Sequence, residues 1–130
     1  MTNSMIGLIL VLLVLILIML LITHRGKPRL NKKHFEKQWD EVRSDENYVE
    51  AVLKADKLLD EALKHVGIKG GTTGEKLNNA VGFLRDINGA WSAHKLHNQL
   101  KDEDDFKPAA GDCQKAIRQY KKALKDLGAL

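Results

Sequence analysis

Hydrophobic positions follow two different patterns along this chain, one before Thr23 and one after Asn31. Residues 5–22 are continuously apolar, and fifteen of these eighteen residues are Leu, Ile or Val. With a rise of about 1.5 Å per residue they form a helix of about 27 Å, close to the ~30 Å hydrocarbon core of a bilayer. Leu, Ile and Val each favour insertion near the helix centre. The first pattern therefore predicts a transmembrane helix in residues 1–23.

A cleaved secretory signal peptide is the alternative interpretation of this segment. Such a peptide has a positively charged start, an apolar region of about 7–15 residues and a small-residue cleavage site. Residues 1–4 carry no charged side chain, the apolar run is longer than 15 residues, and residues 20–24 contain no Ala-x-Ala. We therefore expect an anchor that is retained.

All charged side chains follow Thr23, and the first of them are basic: Arg25, Lys27, Arg29, Lys32 and Lys33. Because positive flanking residues stay cytoplasmic, we expect a single-pass protein of the plasma (inner) membrane with its N-terminus outside and its C-terminal part inside. Residues 24–30 form a basic linker, and the five basic residues are expected to contact anionic headgroups. A nucleic-acid patch is the alternative, but basic and acidic residues nearly balance outside this cluster.

From residue 31 onward, apolar residues recur three and four positions apart, as on one face of an α-helix. The predicted helices cover residues 31–43 and 46–66, a segment from Thr72 that carries Leu77, Ala80, Val81 and Leu84, a segment from Ile87 to about Leu100, and residues 109–127. No strand-like alternation occurs. The chain is therefore predicted to be all-α, with one transmembrane helix followed by a four- to five-helix bundle over residues 31–130.

Residues with strong end preferences support these boundaries. Asn31 is a suitable N-cap, and Thr72 with Glu75 forms a capping box. Gly67 and Gly128 are suited to end the second and last helices. Pro108 is expected at the first position of the last helix, after a polar loop over residues 101–105. Whether the third helix breaks or only kinks around residues 86–89 is left open.

Three features bear on chemistry, and each has an ordinary structural interpretation. The glycine-rich residues 67–76 follow a helix and lack the Gly-Lys-Ser/Thr of a phosphate-binding loop, so we expect an interhelical turn. Cys113 is the only cysteine, which excludes an intramolecular disulfide and suits a reducing cytosol, and it lies on an apolar helix face.

His94 and His97 lie one helical turn apart, but a metal site needs further ligands. Asp102, Glu103 and His65 have the right chemistry, and the sequence does not fix where they lie. We therefore predict solvent-facing or hydrogen-bonded histidines, no metal site and no cofactor.

Residues 91–103 read Trp-Ser-Ala-His-Lys-Leu-His-Asn-Gln-Leu-Lys-Asp-Glu. They resemble the motif segment of HEPN-type helical bundles, which often reads Trp-x-x-His-Lys-x-Arg-Asn-x-x-x-His-Glu. Residues 51–60 and 116–120 are also similar to that group, so the resemblance covers about residues 35–127. The whole arrangement resembles that of uncharacterised small membrane-anchored HEPN-like proteins of candidate-phylum bacteria.

HEPN proteins that cleave RNA use an arginine, a following polar residue and a histidine four to six positions later. In this sequence these positions hold His97, Asn98 and Asp102, so only the polar residue is retained. Histidine does not reproduce a permanently charged, planar guanidinium, and Asp102 places a negative charge where a histidine would act as acid or base.

The resemblance therefore implies a membrane-anchored helical binding or scaffolding module that has lost ribonuclease activity. HEPN-type bundles commonly pair through the motif face, which implies a homodimer here. The expected partners are the lipid bilayer, a second copy of the chain and a protein that the sequence does not identify. The alternative function is membrane-tethered RNA cleavage or RNA processing through His97, Asn98 and Asp102.

Overall fold

The computed structural model describes residues 2–23 and 29–130, and it contains helices but no strand within these ranges. The helices are α1 (Thr2–Thr23), α2 (Lys32–Ser44), α3 (Tyr48–His65), α4 (Thr73–Asn79), α5 (Ile87–Asp102) and α6 (Ala110–Asp126). The prediction of an N-terminal apolar helix followed by an all-α bundle is confirmed.

Helix α1 is long and apolar enough to cross a membrane. None of its residues is buried in the protein, as expected for a membrane-spanning helix that is apolar on all faces. Its last residue, Thr23, closes the helix by donating a hydrogen bond from Oγ1 to the Met19 carbonyl oxygen at 2.9 Å. Of the predicted membrane-surface residues, Arg29, Lys32 and Lys33 are exposed, whereas Arg25 and Lys27 lie outside the described residues.

Helix α3 is the centre of the bundle. It packs against α2, α4, α5 and α6, and α5 packs in turn against α4 and α6. The apolar stripe predicted for α3 supplies fully buried side chains at Val52, Ala55, Leu59, Ala62 and Leu63. The surrounding helices cover it with their own apolar residues: Phe35, Trp39 and Val42 from α2, Leu77 from α4, Ala90 and Ala93 from α5, and Cys113, Ala116, Tyr120, Ala123 and Leu124 from α6.

Side-chain caps fix where most of the helices start. The Asn31 side chain accepts from the His34 amide, as predicted, and Thr72 accepts from the Glu75 amide. The Glu75 carboxylate reaches back to the Gly71 amide, one residue earlier than in a standard capping box. Gly67 and Gly128 end α3 and α6 with positive φ angles of 87° and 79°, which confirms both predicted stops.

The third predicted helix is shorter than its apolar pattern suggests. Helix α4 ends at Asn79, so Val81 lies beyond it and is 62% exposed, although the pattern placed it in the core. The Ala80 carbonyl accepts from the amides of Phe83 and Leu84, which turns the chain and still buries Leu84. The chain breaks here because the Asp86 side chain starts a new helix by accepting from the Gly89 amide at 2.8 Å.

The α5–α6 connection also differs from the prediction. Helix α5 continues through Asp102, and α6 begins at Ala110 with Ala109 as its N-cap, so Pro108 lies before the cap instead of at the first helical position. Tyr48, predicted on the buried stripe, is 42% exposed because it is the first residue of α3 at the end of the bundle. Its hydroxyl accepts from the Gln114 side chain at 3.2 Å.

Candidate functional site

A buried carboxylate, Asp56, lies in the middle of α3 among the core residues. It follows Val52 by four positions and precedes Leu59 by three, so the helix points it into the bundle together with the apolar stripe. Only 3% of the residue is exposed. A buried carboxylate is costly unless hydrogen bonds or opposite charges compensate it. The groups around Asp56 therefore define the polar centre of the bundle.

Asp56 joins three helices through a single carboxylate oxygen. Oδ2 accepts from the Tyr120 hydroxyl of α6 at 2.6 Å and contacts His94 Nδ1 of α5 at 2.8 Å. All three side chains are buried. Burial raises the pKa of the Tyr120 phenol far above its usual range, and the adjacent Asp56 charge raises it further. Tyr120 therefore remains a hydrogen-bond donor to the carboxylate.

His97 and Asn98 extend this centre toward the surface. His97 Nδ1 lies 3.6 Å from Asp56 Oδ1 and 3.1 Å from Asn98 Oδ1. Its ring stacks on that of His94, with centroids 5.6 Å apart and an angle of 14° between the planes. Asn98 Nδ2 lies 3.4 Å from His94 Nε2. With a proton on Nδ1 of both rings, one consistent network satisfies Asp56, Asn98 and His94, and His97 Nδ1 donates to Asn98.

A cleft of about 560 Å³ opens over this network. One wall is α5, with Trp91, His94, His97, Asn98, Lys101 and Asp102, and the opposite wall is the turn of residues 71–74 with Asp60 of α3. Gly74 lies close against the α5 wall: a Cβ atom there would be 3.6 Å from His94 Nε2 and from the Trp91 ring. The cleft is therefore polar, with an aromatic edge.

A second acidic residue of α3 holds the wall formed by residues 71–74, where α4 begins. Asp60, one turn after Asp56, accepts from Lys76 Nζ at 2.7 Å and from Thr73 Oγ1 at 3.0 Å. The Lys76 side chain is 9% exposed and that of Asp60 is 34% exposed, so the pair is better shielded from solvent than a surface ion pair. This contact fixes the short helix α4 beside the cleft.

The structure brings two of the three predicted motif residues together. His97 and Asn98 are in contact, and Asp102 lies one turn later on the exposed rim of the same cleft. His94 and His97 each form a hydrogen bond, as predicted. The partner of His94 is Asp56, and the partner of His97 is Asn98. Cys113 is buried as predicted, and burial raises the pKa of its thiol, which disfavours the reactive thiolate.

Sequence reasoning missed Asp56 and Tyr120. The available indication was an acidic residue inside the apolar stripe of α3, because an acid at such a position needs a buried partner. The sequence analysis proposed Asp102, Glu103 and His65 as further ligands beside the two histidines. Among the described residues, the one that lies close to both histidines is Asp56. The distance between α3 and α5 cannot be read from either helix alone.

No family model, curated protein or solved structure matches this chain. The resemblance of residues 91–103 to HEPN-type bundles stays a prediction.

Proposed function

We propose that this chain is a membrane-anchored helical binding module that presents the cleft between α5 and residues 71–74 to a partner in the cytoplasm. The apolar surface of α1 supports the anchor, because a helix with no buried residue has no place for its side chains within the bundle. The exposed Arg29, Lys32 and Lys33 follow the anchor and support the cytoplasmic orientation and contact with anionic lipid.

The cleft is the observation that carries the binding role. It combines an aromatic edge, Trp91, with convergent polar groups, which is the usual composition of a recognition site. Its rim carries two exposed neighbours of opposite charge, Lys101 and Asp102. A two-fold contact needs a self-complementary surface, and an adjacent cation and anion supply one. A second copy of this chain is therefore the first partner that we expect.

The polar network supports a binding role over RNA cleavage. The position of the motif arginine is held by His97, which lies against Asp56 and Asn98. The position of the motif histidine is held by Asp102, a carboxylate on the cleft rim. At these two motif positions the chain therefore lacks the permanent cation of the arginine and the acid–base group of the histidine.

Co-purification of two differently tagged full-length copies from detergent-solubilised membranes tests the proposal. We expect the copies to co-purify, and the pair Asn98→Arg and Asp102→Arg to reduce recovery at least tenfold, because it puts like charges on both sides of the contact. Lys122→Glu, on an exposed position of α6, is the matched control and should have no effect. Copies that never associate, or an association indifferent to the cleft variants, would overturn the proposed face.

One observation favours the enzymatic alternative. The Asp56–His94 pair has the geometry in which a carboxylate orients an imidazole as a general base, and His94 lines the cleft. We expect the full-length protein not to cleave single-stranded or transfer RNA faster than a His94→Gln variant or a His97→Ala/Asp102→Ala variant. Cleavage that disappears in either variant would make RNA cleavage the better account of the cleft.

A further inference from the structure

Two imidazoles and one carboxylate converge where the cleft meets the core. Asp56 on α3 and the pair His94 and His97 on α5 each offer one ligand-type atom, and these atoms lie within 4.8 Å of one another. His94 Nδ1 is 2.8 Å from one carboxylate oxygen of Asp56, and His97 Nδ1 is 3.6 Å from the other. Both rings thus aim the same nitrogen at the same buried group.

The buried negative charge of Asp56 favours a bound cation at this cluster. Asp56 is buried, and its only ion-pair partners among the described residues are the two histidines, with no Lys or Arg in reach. A cation beside a buried carboxylate compensates its charge more fully than hydrogen bonds alone. A divalent ion held by the two imidazoles and the carboxylate would supply this compensation.

The ligand set selects the kind of ion. Two imidazole nitrogens and one carboxylate oxygen suit zinc and similar transition metals, whereas Mg²⁺ and Ca²⁺ prefer oxygen ligands alone. Zinc bonds of about 2.0–2.2 Å in a tetrahedron place ligand atoms roughly 3.3–3.6 Å apart. His94 Nδ1 lies 2.8 Å from Asp56 Oδ2 and His97 Nδ1 lies 3.6 Å from Oδ1, and one ligand atom from each residue lies within 4.8 Å of the others. Small side-chain rotations therefore bring three ligand atoms to the spacing that zinc needs.

We propose that Asp56, His94 and His97 form a three-ligand site for Zn²⁺ or a similar transition-metal ion, with the fourth position open to the cleft. In each histidine the proton moves from Nδ1 to Nε2, so that the Nδ1 lone pair binds the ion, and the Asn98 amide turns so that its oxygen accepts from His94 Nε2. The Tyr120 hydroxyl, 2.6 Å from Asp56 Oδ2, orients the carboxylate as an outer partner. This site is independent of whether a second copy binds at the rim.

Isothermal titration of the chelator-treated full-length protein in detergent with ZnCl₂ tests this site. We expect one Zn²⁺ per chain, and Co²⁺ bound in its place should give the visible absorption of a four- or five-coordinate ion. His97→Gln should weaken Zn²⁺ binding by about 100-fold or more, because it removes a ligand. His97 lies at the cleft edge of the network, so this variant should keep its helical circular dichroism, which separates loss of a ligand from loss of the fold.

The matched control is the double variant His34→Gln and His65→Gln, which removes the other described imidazoles, both exposed and on other helix faces. It should bind Zn²⁺ like the unchanged protein. The proposal is overturned by a protein that binds no Zn²⁺, by binding that survives His97→Gln, or by binding that is lost in the control. Each of those results would leave Asp56 held by hydrogen bonds alone.

Discussion

Asp56 connects α3 to α5 and α6 through hydrogen bonds and so fixes how the three helices pack. Its carboxylate takes hydrogen bonds from two other helices, in a position where an apolar side chain would make packing contacts only. A satisfied buried network of this kind fixes one arrangement of helices, because any shift leaves a polar group without a partner. The same network forms the floor of the cleft, so fold and site depend on the same atoms.

Replacing Tyr120 with Phe should destabilise the bundle by about 1–3 kcal/mol, because Asp56 then loses a hydrogen bond to a charged group while the ring still fills its place. Chemical denaturation followed by circular dichroism measures the difference. Tyr48→Phe is the control, since within the described residues the Tyr48 hydroxyl accepts from the exposed Gln114 side chain. Equal losses of stability from the two substitutions would show that the buried hydrogen bond stabilises the bundle no more than the exposed one.

Tyr120 also gives the stability a defined alkaline limit. Its pKa is raised by burial above the ordinary value of 10.0, so above pH 10 the unfolded phenol loses its proton while the folded one keeps it. The contribution is complete below pH 10 and is lost as the pH rises, by up to about 1.4 kcal/mol per unit. We expect the unchanged protein to lose stability faster between pH 10 and 11 than Tyr120→Phe. Parallel curves for the two proteins would contradict a buried phenol.

At the scale of the helices, the apolar stripes and caps predicted most of the fold. Asn31, Thr72, Gly67 and Gly128 mark boundaries that the structure reproduces, because each acts through local backbone geometry. The helix boundaries that were predicted wrongly lie where tertiary contacts determine where a helix ends. Val81 continues a helical pattern, yet the chain turns at Ala80 so that Leu84 packs and Asp86 caps the next helix.

The pair Leu59→Asp and Val81→Asp tests this helical register. Both residues belong to predicted apolar stripes, but Leu59 is fully buried and Val81 is 62% exposed. Leu59→Asp should cost more than about 4 kcal/mol, since it buries an unpaired charge, whereas Val81→Asp should change stability by less than about 0.5 kcal/mol. Thermal melting followed by circular dichroism distinguishes them. Similar losses from both changes would place Val81 in the core.

For the molecule as a whole, the apolar helix α1 and the bundle are separate in their packing. The core is closed by α2 to α6, and α1 contributes no buried residue to it. A chain of residues 28–130 should therefore fold without the anchor and be monodisperse and strongly helical. Circular dichroism and light scattering check this. An aggregated or largely unfolded product would show that α1 is needed to complete the core.

Composition predicted the N-terminal apolar helix, and helical periodicity predicted the bundle, because both properties are local in sequence. The site was predicted only in part. His97 and Asn98 are adjacent along the chain and were named from the resemblance of residues 91–103 to the HEPN motif. By contrast, Asp56 is 38 residues from His94, and Tyr120 is 64 residues from Asp56. Their meeting depends on how α3, α5 and α6 cross, which no single helix encodes.

Protease protection tests the central claim, a membrane-anchored binding module in the cytoplasm, most directly. The full-length chain carries one epitope tag before Met1 and another after Leu130, and protease is added to intact spheroplasts. We expect the C-terminal tag to survive until detergent opens the membrane, the N-terminal tag to be digested, and an alkaline carbonate wash to leave the chain in the membrane. Digestion of the C-terminal tag in intact spheroplasts, or release of the chain by carbonate, would contradict that claim.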